Sequence, residues 1–358
     1  MNGKVYISRL SLNSRTYLYI YSLFFLLCFL VLLTTILPVG FSPDSENYYS
    51  YLNYEPYEYN FLIIEPLNWL IIYINRLFFF SNYHTFVAIY GFLFNTIMLS
   101  MIYKLYKHYR IEPILALSVF LFLFFPNYGL IQIRQGIVTA LLFNAFFDVI
   151  YNNNKKFFFK YIIAIGFHYS AIVLFFILYI SRIIKIKTSF AYILIPVSFF
   201  WSAYLPLIEV LKLFSEAIGG PIGYKLSNYI LLLQIEGKNL SINVINPINL
   251  YSIFMLLNLF LFGYLYGKKF RKEIDKRIAF NLLFIGLVLW FSLAQFPVLS
   301  FRIFTPLSII SVYIISLNAN KIKPREISSI VFLLIIVLLS INLYIRHASF
   351  DWTKIGIS

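Results

Sequence analysis

The chain has 358 residues and a formal net charge of +15, and 61% of its residues are hydrophobic while only 12% are charged. Soluble globular domains carry about 25% charged residues, so this composition excludes a soluble enzyme and a disordered chain. The single cysteine, Cys28, excludes an internal disulfide and a cysteine-based metal cage. The basic residues lie in short runs between apolar segments, as in cytoplasmic loops of membrane proteins, so the charge does not indicate nucleic acid as a partner.

Nine apolar segments are long enough to predict membrane-spanning helices, which need about 20 residues per crossing. Their limits are 17–39, 83–103, 113–131, 132–150, 189–207, 248–267, 278–296, 303–318 and 327–345. Two further apolar segments are interrupted: 61–80 contains Glu65, and 157–180 contains His168 near its centre. The sequence therefore predicts an all-α polytopic integral membrane protein with about 9–11 transmembrane helices, and one domain over residues 1–358.

The positions of the basic residues predict the topology, because Lys and Arg are enriched in cytoplasmic loops. All the basic runs fall on the cytoplasmic side only if neither interrupted segment changes sides, so that each is re-entrant, a broken hairpin or interfacial. In the alternative, both segments span and the early basic loops move outside. Polar backbone at membrane depth is tolerated where it lines a cavity, which makes both segments candidates for an active site. The preferred arrangement brings five polar residues to or near the outer face: Asp44, Glu65, Arg134, His168 and Arg302.

Two outer loops are predicted. The first, residues 40–60, is rich in acidic residues and tyrosine and contains no Lys or Arg. Carboxylates accept hydrogen bonds from hydroxyls and aromatic rings stack on sugar rings, so this loop is a candidate sugar-binding surface, with an interfacial tyrosine belt as the alternative. On a helix, Asp44, Tyr48 and Tyr51 would share one face, although Asp44 could also be a helix-starting residue. The second and longer outer loop covers 207–247.

Four charged or titratable residues at polar interruptions could carry chemistry. Glu65 is a functional candidate because an ionisable residue in an apolar segment is costly, with an ion pair to Arg76 as the alternative. Arg134 is predicted at a helix N-terminus, which suits a phosphate, with a snorkelling interfacial arginine as the alternative. His168 is a general base or a core histidine, and Arg302 a phosphate ligand or an interfacial anchor. The spacing of His and acidic residues indicates no metal site.

Taken in chain order, these motifs resemble the EpsG family, which belongs to the Wzy-type polysaccharide polymerases. The ordered set covers roughly residues 17–318 and consists of Asp44, Tyr48 and Tyr51 after the first helix, Glu65-Pro66, Arg134-Gln135-Gly136 opening a helix, Phe167-His168-Tyr169-Ser170, and Arg302 before a late helix.

The resemblance implies an enzyme of the bacterial plasma membrane that joins oligosaccharide repeat units carried on undecaprenyl pyrophosphate at the outer face. The product would be a capsule, an exopolysaccharide or an O-antigen. It implies no cofactor, nucleotide sugar or metal. The expected partners are the lipid-linked oligosaccharide, membrane lipid, a chain-length regulator and a flippase. The alternative functions are a flippase or transporter of lipid-linked oligosaccharides, and a membrane transferase similar to an O-antigen ligase.

The resemblance also implies roles for eight residues. These are pyrophosphate binding for Arg134 and Arg302, catalysis for His168, Glu65 and Asp44, and sugar binding for Tyr48, Tyr51 and Gln135. One of the three catalytic candidates would take the proton from the acceptor hydroxyl, and the sequence leaves open which.

Overall fold

The computed structural model describes residues 14–53, 65–204, 207–220, 223, 227, 248–267, 272–323 and 328–338. Every regular element in these ranges is helical, which confirms the predicted all-α fold. The helices are α1 (Ser14–Thr35), α2 (Pro43–Asn53), α3 (Pro66–Phe79), α4 (Tyr83–Tyr109), α5 (Pro113–Val119), α6 (Ile133–Ile150), α7 (Asn154–Phe167), α8 (Ala171–Ile183), α9 (Thr188–Tyr204), α10 (Leu207–Ile218), α11 (Leu250–Tyr266), α12 (Ile274–Ser292), α13 (Pro297–Leu307), α14 (Ser311–Lys321) and α15 (Ser328–Leu338). Two π-helical turns, Phe120–Phe124 and Pro126–Ile131, follow α5, and a 3₁₀ turn, Ser308–Ile310, joins α13 to α14.

The apolar helices agree with a polytopic membrane protein. Among the described residues, three helices are long and apolar enough to cross a membrane by length and composition: Tyr83–Tyr109, Ile133–Ile150 and Leu299–Lys321. Shorter apolar helices are Tyr21–Thr35, Pro113–Phe124, Ala171–Ile183, Thr188–Ser202, Leu250–Tyr266 and Ser328–Leu338. Within the described residues, each of the nine predicted spans overlaps a helix or a run of consecutive helical elements, although the bounds differ by several residues. The last predicted span, 327–345, is described only over Ser328–Leu338.

Contacts between helix ends show how the first helices run. Nδ1 of His84, at the start of α4, lies 2.6 Å from the carbonyl oxygen of Thr35, at the end of α1. The side-chain amide of Asn75 in α3 donates to Asn82 O at 3.1 Å and to Thr85 Oγ1 at 2.8 Å, again at the start of α4. The chain from α1 to α4 therefore leaves and re-enters the bundle at one end, here called the α3 end. This arrangement agrees with the prediction that the first interrupted segment does not change sides.

The second interrupted segment is a helical hairpin. α7 ends at Phe167, the backbone is extended at His168 (φ −163°, ψ 130°), and α8 begins at Ala171. At the base of the hairpin, Arg182 donates from Nη2 to Oδ1 of Asn152 at 2.8 Å. The hairpin therefore enters and leaves at the end of the bundle opposite α3, here called the hairpin end. This confirms the prediction of a broken segment that returns to its own side.

Both segments predicted as outer loops are helical in part. Residues 43–53 of the first form α2, and Leu207–Ile218 of the second form α10. Residues 54–60 of the first loop and most of 219–247 in the second lie outside the described residues.

Asp44 does not cap α2. Ser42 and Ser45 cap it reciprocally, since each hydroxyl accepts a hydrogen bond from the other residue's backbone amide, at 3.1 and 3.2 Å. Such a pair satisfies two of the amides that a helix start leaves unbonded. Asp44 lies within the first turn, where a carboxylate interacts favourably with the helix dipole.

Candidate active site

Glu65 lies where α3 meets the tip of the hairpin. Its backbone is extended (φ −61°, ψ 144°), and its carbonyl oxygen accepts a hydrogen bond from the backbone amide of Asn68 at 3.0 Å. Glu65 is therefore the N-cap residue of α3 through its backbone, and its side chain makes no capping hydrogen bond. The carboxylate is fully buried and contacts two basic side chains. Nη1 of Arg134 donates to Oε2 at 2.9 Å, and Nδ1 of His168 lies 2.9 Å from Oε1. One buried carboxylate therefore holds an arginine and a histidine, one on each oxygen.

The alternative prediction, an ion pair between Glu65 and Arg76, is wrong. Arg76 lies near the other end of α3, and its Nε and Nη2 donate to the carbonyls of Leu52 and Tyr51 at 3.1 and 3.0 Å. Eleven residues of helix separate Arg76 from Glu65, a distance of about 16 Å along the axis. Arg76 therefore fastens α3 to the end of α2.

Arg134 lies in the first turn of α6, as predicted, and its side chain is only 17% exposed. The chain reaches α6 through the second π-helical turn, which ends with the Gln132 amide donating to Asn127 O at 2.7 Å. The guanidinium lies over the rings of Tyr48 and Tyr51, at 5.4 and 5.6 Å from their centroids. Its Nε is buried and has no hydrogen-bond partner among the described residues. This buried donor is therefore unused among the described residues.

Helix α2 covers Arg134 with its aromatic face. Asp44, Tyr48 and Tyr51 share that face, and Asp44 acts electrostatically on both Arg134 and Tyr48. Tyr48 is 3% exposed, and its ring also packs against Phe86, with the centroids 6.1 Å apart. Burial and then the Asp44 carboxylate raise the pKa of the Tyr48 phenol, which stays protonated. Tyr48 is thus placed to hold Arg134, whereas Tyr51 is partly exposed and retains the position expected of a sugar contact.

His168 occupies the tip of the hairpin, and its side chain is 17% exposed. An ionised carboxylate only accepts hydrogen bonds, so we assign the ring proton to Nδ1, which donates to Glu65. Nε2 then carries the lone pair. A carboxylate that fixes the tautomer and orientation of an imidazole in this way prepares it to accept a proton. The hydroxyl of Ser170, two residues further on, is buried and has no hydrogen-bond partner among the described residues.

Arg302 lies inside α13, which corrects the prediction that it precedes a late helix. The side-chain amide of Gln135 in α6 donates to the carbonyl of Arg302 at 2.6 Å, and this contact joins two distant parts of the chain. It brings Arg302 within electrostatic range of His168. Gln135 is 4% exposed and is placed to position Arg302.

Three helices, α3, α6 and α8, begin at this cluster. Helix N-termini carry partial positive charge and backbone amide donors, and they attract anions. Together with Arg134 they place positive potential around the Glu65 carboxylate, and Arg302 adds a positive charge within electrostatic range of His168. The arrangement combines an anion-binding surface with an oriented imidazole. Among the described residues, no group of three or more His, Cys, Asp and Glu is placed to hold a metal ion.

Two further residues, which the sequence analysis did not assign, complete the cluster. The Asn68 side-chain amide donates to Oε2 of Glu65 and to the carbonyl of Phe167, both at 2.9 Å. Its oxygen accepts from the Tyr90 hydroxyl at 2.5 Å. Asn68 thus joins α3, α4 and the hairpin tip. Asn68 could have been found from the sequence, because it lies three residues after Glu65 and therefore on the same helix face. No sequence pattern indicates Tyr90.

Replacing Asn68 with alanine should lower the free energy of unfolding by about 1–3 kcal/mol, because buried groups of Glu65 and Tyr90 each lose a partner. Thermal unfolding of the detergent-solubilised protein measures this change. Asn95→Ala is the matched control, since Asn95 is also fully buried but donates to Gly91 O, within its own helix, at 2.8 Å. Equal losses in the two variants would contradict a linking role for Asn68.

Gly136 holds α6 close to the preceding π turns. A Cβ at Gly136 would overlap the carbonyl oxygen of Tyr128, which is backbone and cannot rotate away. Gly286 of α12 is the control position, because the nearest atom to a Cβ added there is in the side chain of Phe304, at 3.2 Å. Gly136→Ala and Gly286→Ala gain the same helix propensity, so the difference in their stabilities measures the overlap at Gly136. We expect Gly136→Ala to be the less stable in thermal unfolding, by about 1–3 kcal/mol. Similar stabilities would contradict the close packing.

Comparison with known families identifies the chain. A family model described as the EpsG family matches residues 18–353, nearly the whole length. The chain belongs to the EpsG family. Members of this family are Wzy-type polymerases, and this chain accordingly has a role as a polymerase in polysaccharide biosynthesis. Searches of curated proteins and of solved structures gave no match.

Proposed function

We propose that this EpsG protein transfers a growing glycan from its lipid pyrophosphate to the terminal sugar of a second lipid-linked repeat unit. In this proposal His168 is the general base, and Arg134 and Arg302 bind the pyrophosphate leaving group. The observation that carries it is the bridge made by Glu65, which holds the arginine and the histidine on its two oxygens at 2.9 Å each. Base and cation are thereby fixed relative to each other before substrate arrives.

The reaction needs no group beyond the two substrates and these side chains. The acceptor hydroxyl oxygen forms a bond to the anomeric carbon of the donor, and the bond from that carbon to the pyrophosphate oxygen breaks. The hydroxyl proton passes to Nε2 of His168, and Glu65 stabilises the resulting imidazolium. Negative charge develops on the departing pyrophosphate, where Arg134, Arg302 and the helix N-termini stabilise it without having to reorganise.

Of the three predicted catalytic residues, His168 best fits the role of base. The Glu65 carboxylate is fully buried and already accepts from Arg134, Asn68 and His168, so we assign it the orientation of the base and the cation. Asp44 lies on the α2 face beside Tyr48. With Tyr51, it is in a position to hydrogen-bond or stack with a sugar, as in the predicted sugar-binding surface.

We assign the active site to the outer face of the plasma membrane, and the distribution of basic residues supports this orientation. Membership of the EpsG family supports undecaprenyl as the carrier lipid. Tyr109, which ends α4 at the hairpin end, packs against Tyr313 of α14, with the ring centroids 5.0 Å apart. At the same end, Lys276 and Lys321 both lie over the ring of Tyr266, at 4.8 and 5.9 Å. Because Lys and Arg favour the cytoplasmic side, the hairpin end faces the cytoplasm and the α3 end faces outwards.

Deletion of the gene in its host, followed by sizing of surface glycans and of lipid-linked precursors, tests the proposal. A polymerase predicts that long polymer disappears while single repeat units still reach the outer face. Intact polymer that stays on its lipid carrier would instead indicate a ligase. Repeat units trapped at the inner face would indicate a flippase. Complementation with the wild-type gene should restore the long polymer.

A further inference from the structure

A second polar cluster lies at the hairpin end, between α4, α6 and α7. Oδ1 of Asn144 in α6 accepts hydrogen bonds from two ammonium groups, Nζ of Lys104 at 3.1 Å and Nζ of Lys160 at 2.8 Å. Lys160 also forms an ion pair with Asp148, one turn along α6. The cluster therefore holds two lysines of different helices close together on one amide oxygen. Two ammonium groups at this distance repel each other, and negative charge nearby is needed to offset the repulsion.

The acidic residue in the cluster does not balance its lysines. Lys104 and Lys160 contribute two positive charges and Asp148 contributes one negative charge. Lys156, one turn before Lys160 on α7, is exposed and acts electrostatically on Lys104, which adds a third positive charge. An ammonium group has three donors, and Lys104 uses one of them on Asn144 among the described residues. The cluster thus offers unused donors and a net positive charge of two.

We propose that Lys104, Lys160 and Asn144 form a binding site for a phosphate group, and that the headgroup of an anionic phospholipid supplies it. A phosphate diester accepts hydrogen bonds from both ammonium groups and lowers the repulsion between them. Lys104 lies five residues before the end of α4, about 8 Å along the axis. Basic pockets between transmembrane helices near the cytoplasmic side bind the headgroups of anionic lipids.

The surface of α7 favours a lipid over free phosphate. Close to Lys160, α7 exposes the large apolar side chains of Phe158, Phe159 and Ile162, which are 52%, 66% and 67% exposed. Acyl chains cover such a surface, whereas an inorganic ion does not. A lipid bound here would also hold the hairpin in place, because Lys160 and His168 belong to the same segment, eight residues apart.

Native mass spectrometry of the purified, detergent-solubilised protein titrated with phosphatidylglycerol tests this site. Lys104→Gln and Lys160→Gln should each weaken binding about fivefold, equivalent to about 1 kcal/mol for one basic residue at an anionic lipid. Lys107→Gln is the matched control, since Lys107 lies on the same helix, carries the same charge and is exposed. Lys104→Arg keeps the charge and should retain binding. Thermal unfolding of each variant shows whether it remains folded.

Two ligand controls distinguish the source of the phosphate. Phosphatidylcholine has the same phosphate but no net charge, and it should bind more weakly than phosphatidylglycerol. Inorganic phosphate, measured by its effect on thermal unfolding, should have little effect. If inorganic phosphate stabilises the wild type and not Lys104→Gln, the phosphate site stands but its ligand is the free ion. If all variants bind phosphatidylglycerol as the wild type does, the site is refuted.

Discussion

The His168→Ala variant is expected to form polymer at least about 100-fold more slowly than the wild type, because a positioned general base contributes a factor of 10² to 10⁴. The protein should still accumulate in the membrane, since Glu65 keeps its contacts with Arg134 and Asn68. The measurement is the rate of polymer formation from lipid-linked repeat units in membranes that contain equal amounts of each variant.

His84→Ala is the control for this prediction. His84 is an exposed histidine at the same end of the bundle, and its Nδ1 lies against the carbonyl of Thr35 and not against a carboxylate. This variant should keep a rate close to that of the wild type. A rate for His168→Ala within about threefold of the wild type would be too small a loss for a general base. Such a result would indicate that Asp44 or Glu65 is the general base.

Replacing Arg134 with alanine should abolish long polymer and leave single repeat units on their carrier. The loss of a donor to the developing charge accounts for a factor of about 10² to 10³ in rate. Arg302→Ala should have the same effect on polymer. Arg134→Ala has a second consequence, because it leaves the buried Glu65 carboxylate without its arginine, at a cost of about 3–5 kcal/mol in stability. Polymer length on gels and protein level in membranes measure the two effects separately.

The double variant Glu65→Gln with Arg134→Met separates catalysis from charge balance. It removes both charges and leaves no unpaired ion, so it should recover membrane levels relative to Arg134→Ala. Because Glu65→Gln also removes the carboxylate that orients His168, the double variant is compared with Glu65→Gln alone. If Arg134 binds the pyrophosphate, the double variant forms less polymer than Glu65→Gln. If Arg134 serves only to neutralise Glu65, it forms at least as much, and that result would refute the pyrophosphate role. The comparison requires equal amounts of protein in each membrane preparation.

The sequence was sufficient to predict the helices and their approximate order, because each apolar segment carries its own signal. Basic residues further predicted that neither interrupted segment changes sides, and the contacts of His84 with Thr35 and of Arg182 with Asn152 agree with this prediction. The sequence placed α2 within an outer loop and left open whether it is helical, because its tyrosines and acids give no long apolar run. The geometry of the π-helical turns before α6 could not be predicted, since Phe120–Phe124 is as apolar as an ordinary helix and the Pro, Asn and Gly of Pro126–Ile131 mark an interruption without specifying its form.

The candidate site was predictable as a set of residues but not as a set of contacts. Glu65 stood out because it is charged within an apolar segment, and Arg134 because it opens a helix. Their pairing joins residues 69 positions apart, and that of Glu65 with His168 joins residues 103 apart, which no local pattern specifies. The nearer arginine, Arg76, was the natural choice from spacing alone. That ion pair does not form, because α3 runs away from Glu65 and carries Arg76 to the opposite end of the helix.

The distance along the chain between Gln135 and Arg302 has a consequence for biogenesis. Their contact spans 167 residues, so α13 can dock against α6 only after the ribosome has completed the helices that lie between them. A nascent chain that has reached the hairpin already contains Glu65, Arg134 and His168, but it lacks the second arginine. Only a chain synthesised beyond residue 302 holds both arginines, so the complete site cannot arise while the earlier helices are still leaving the translocon.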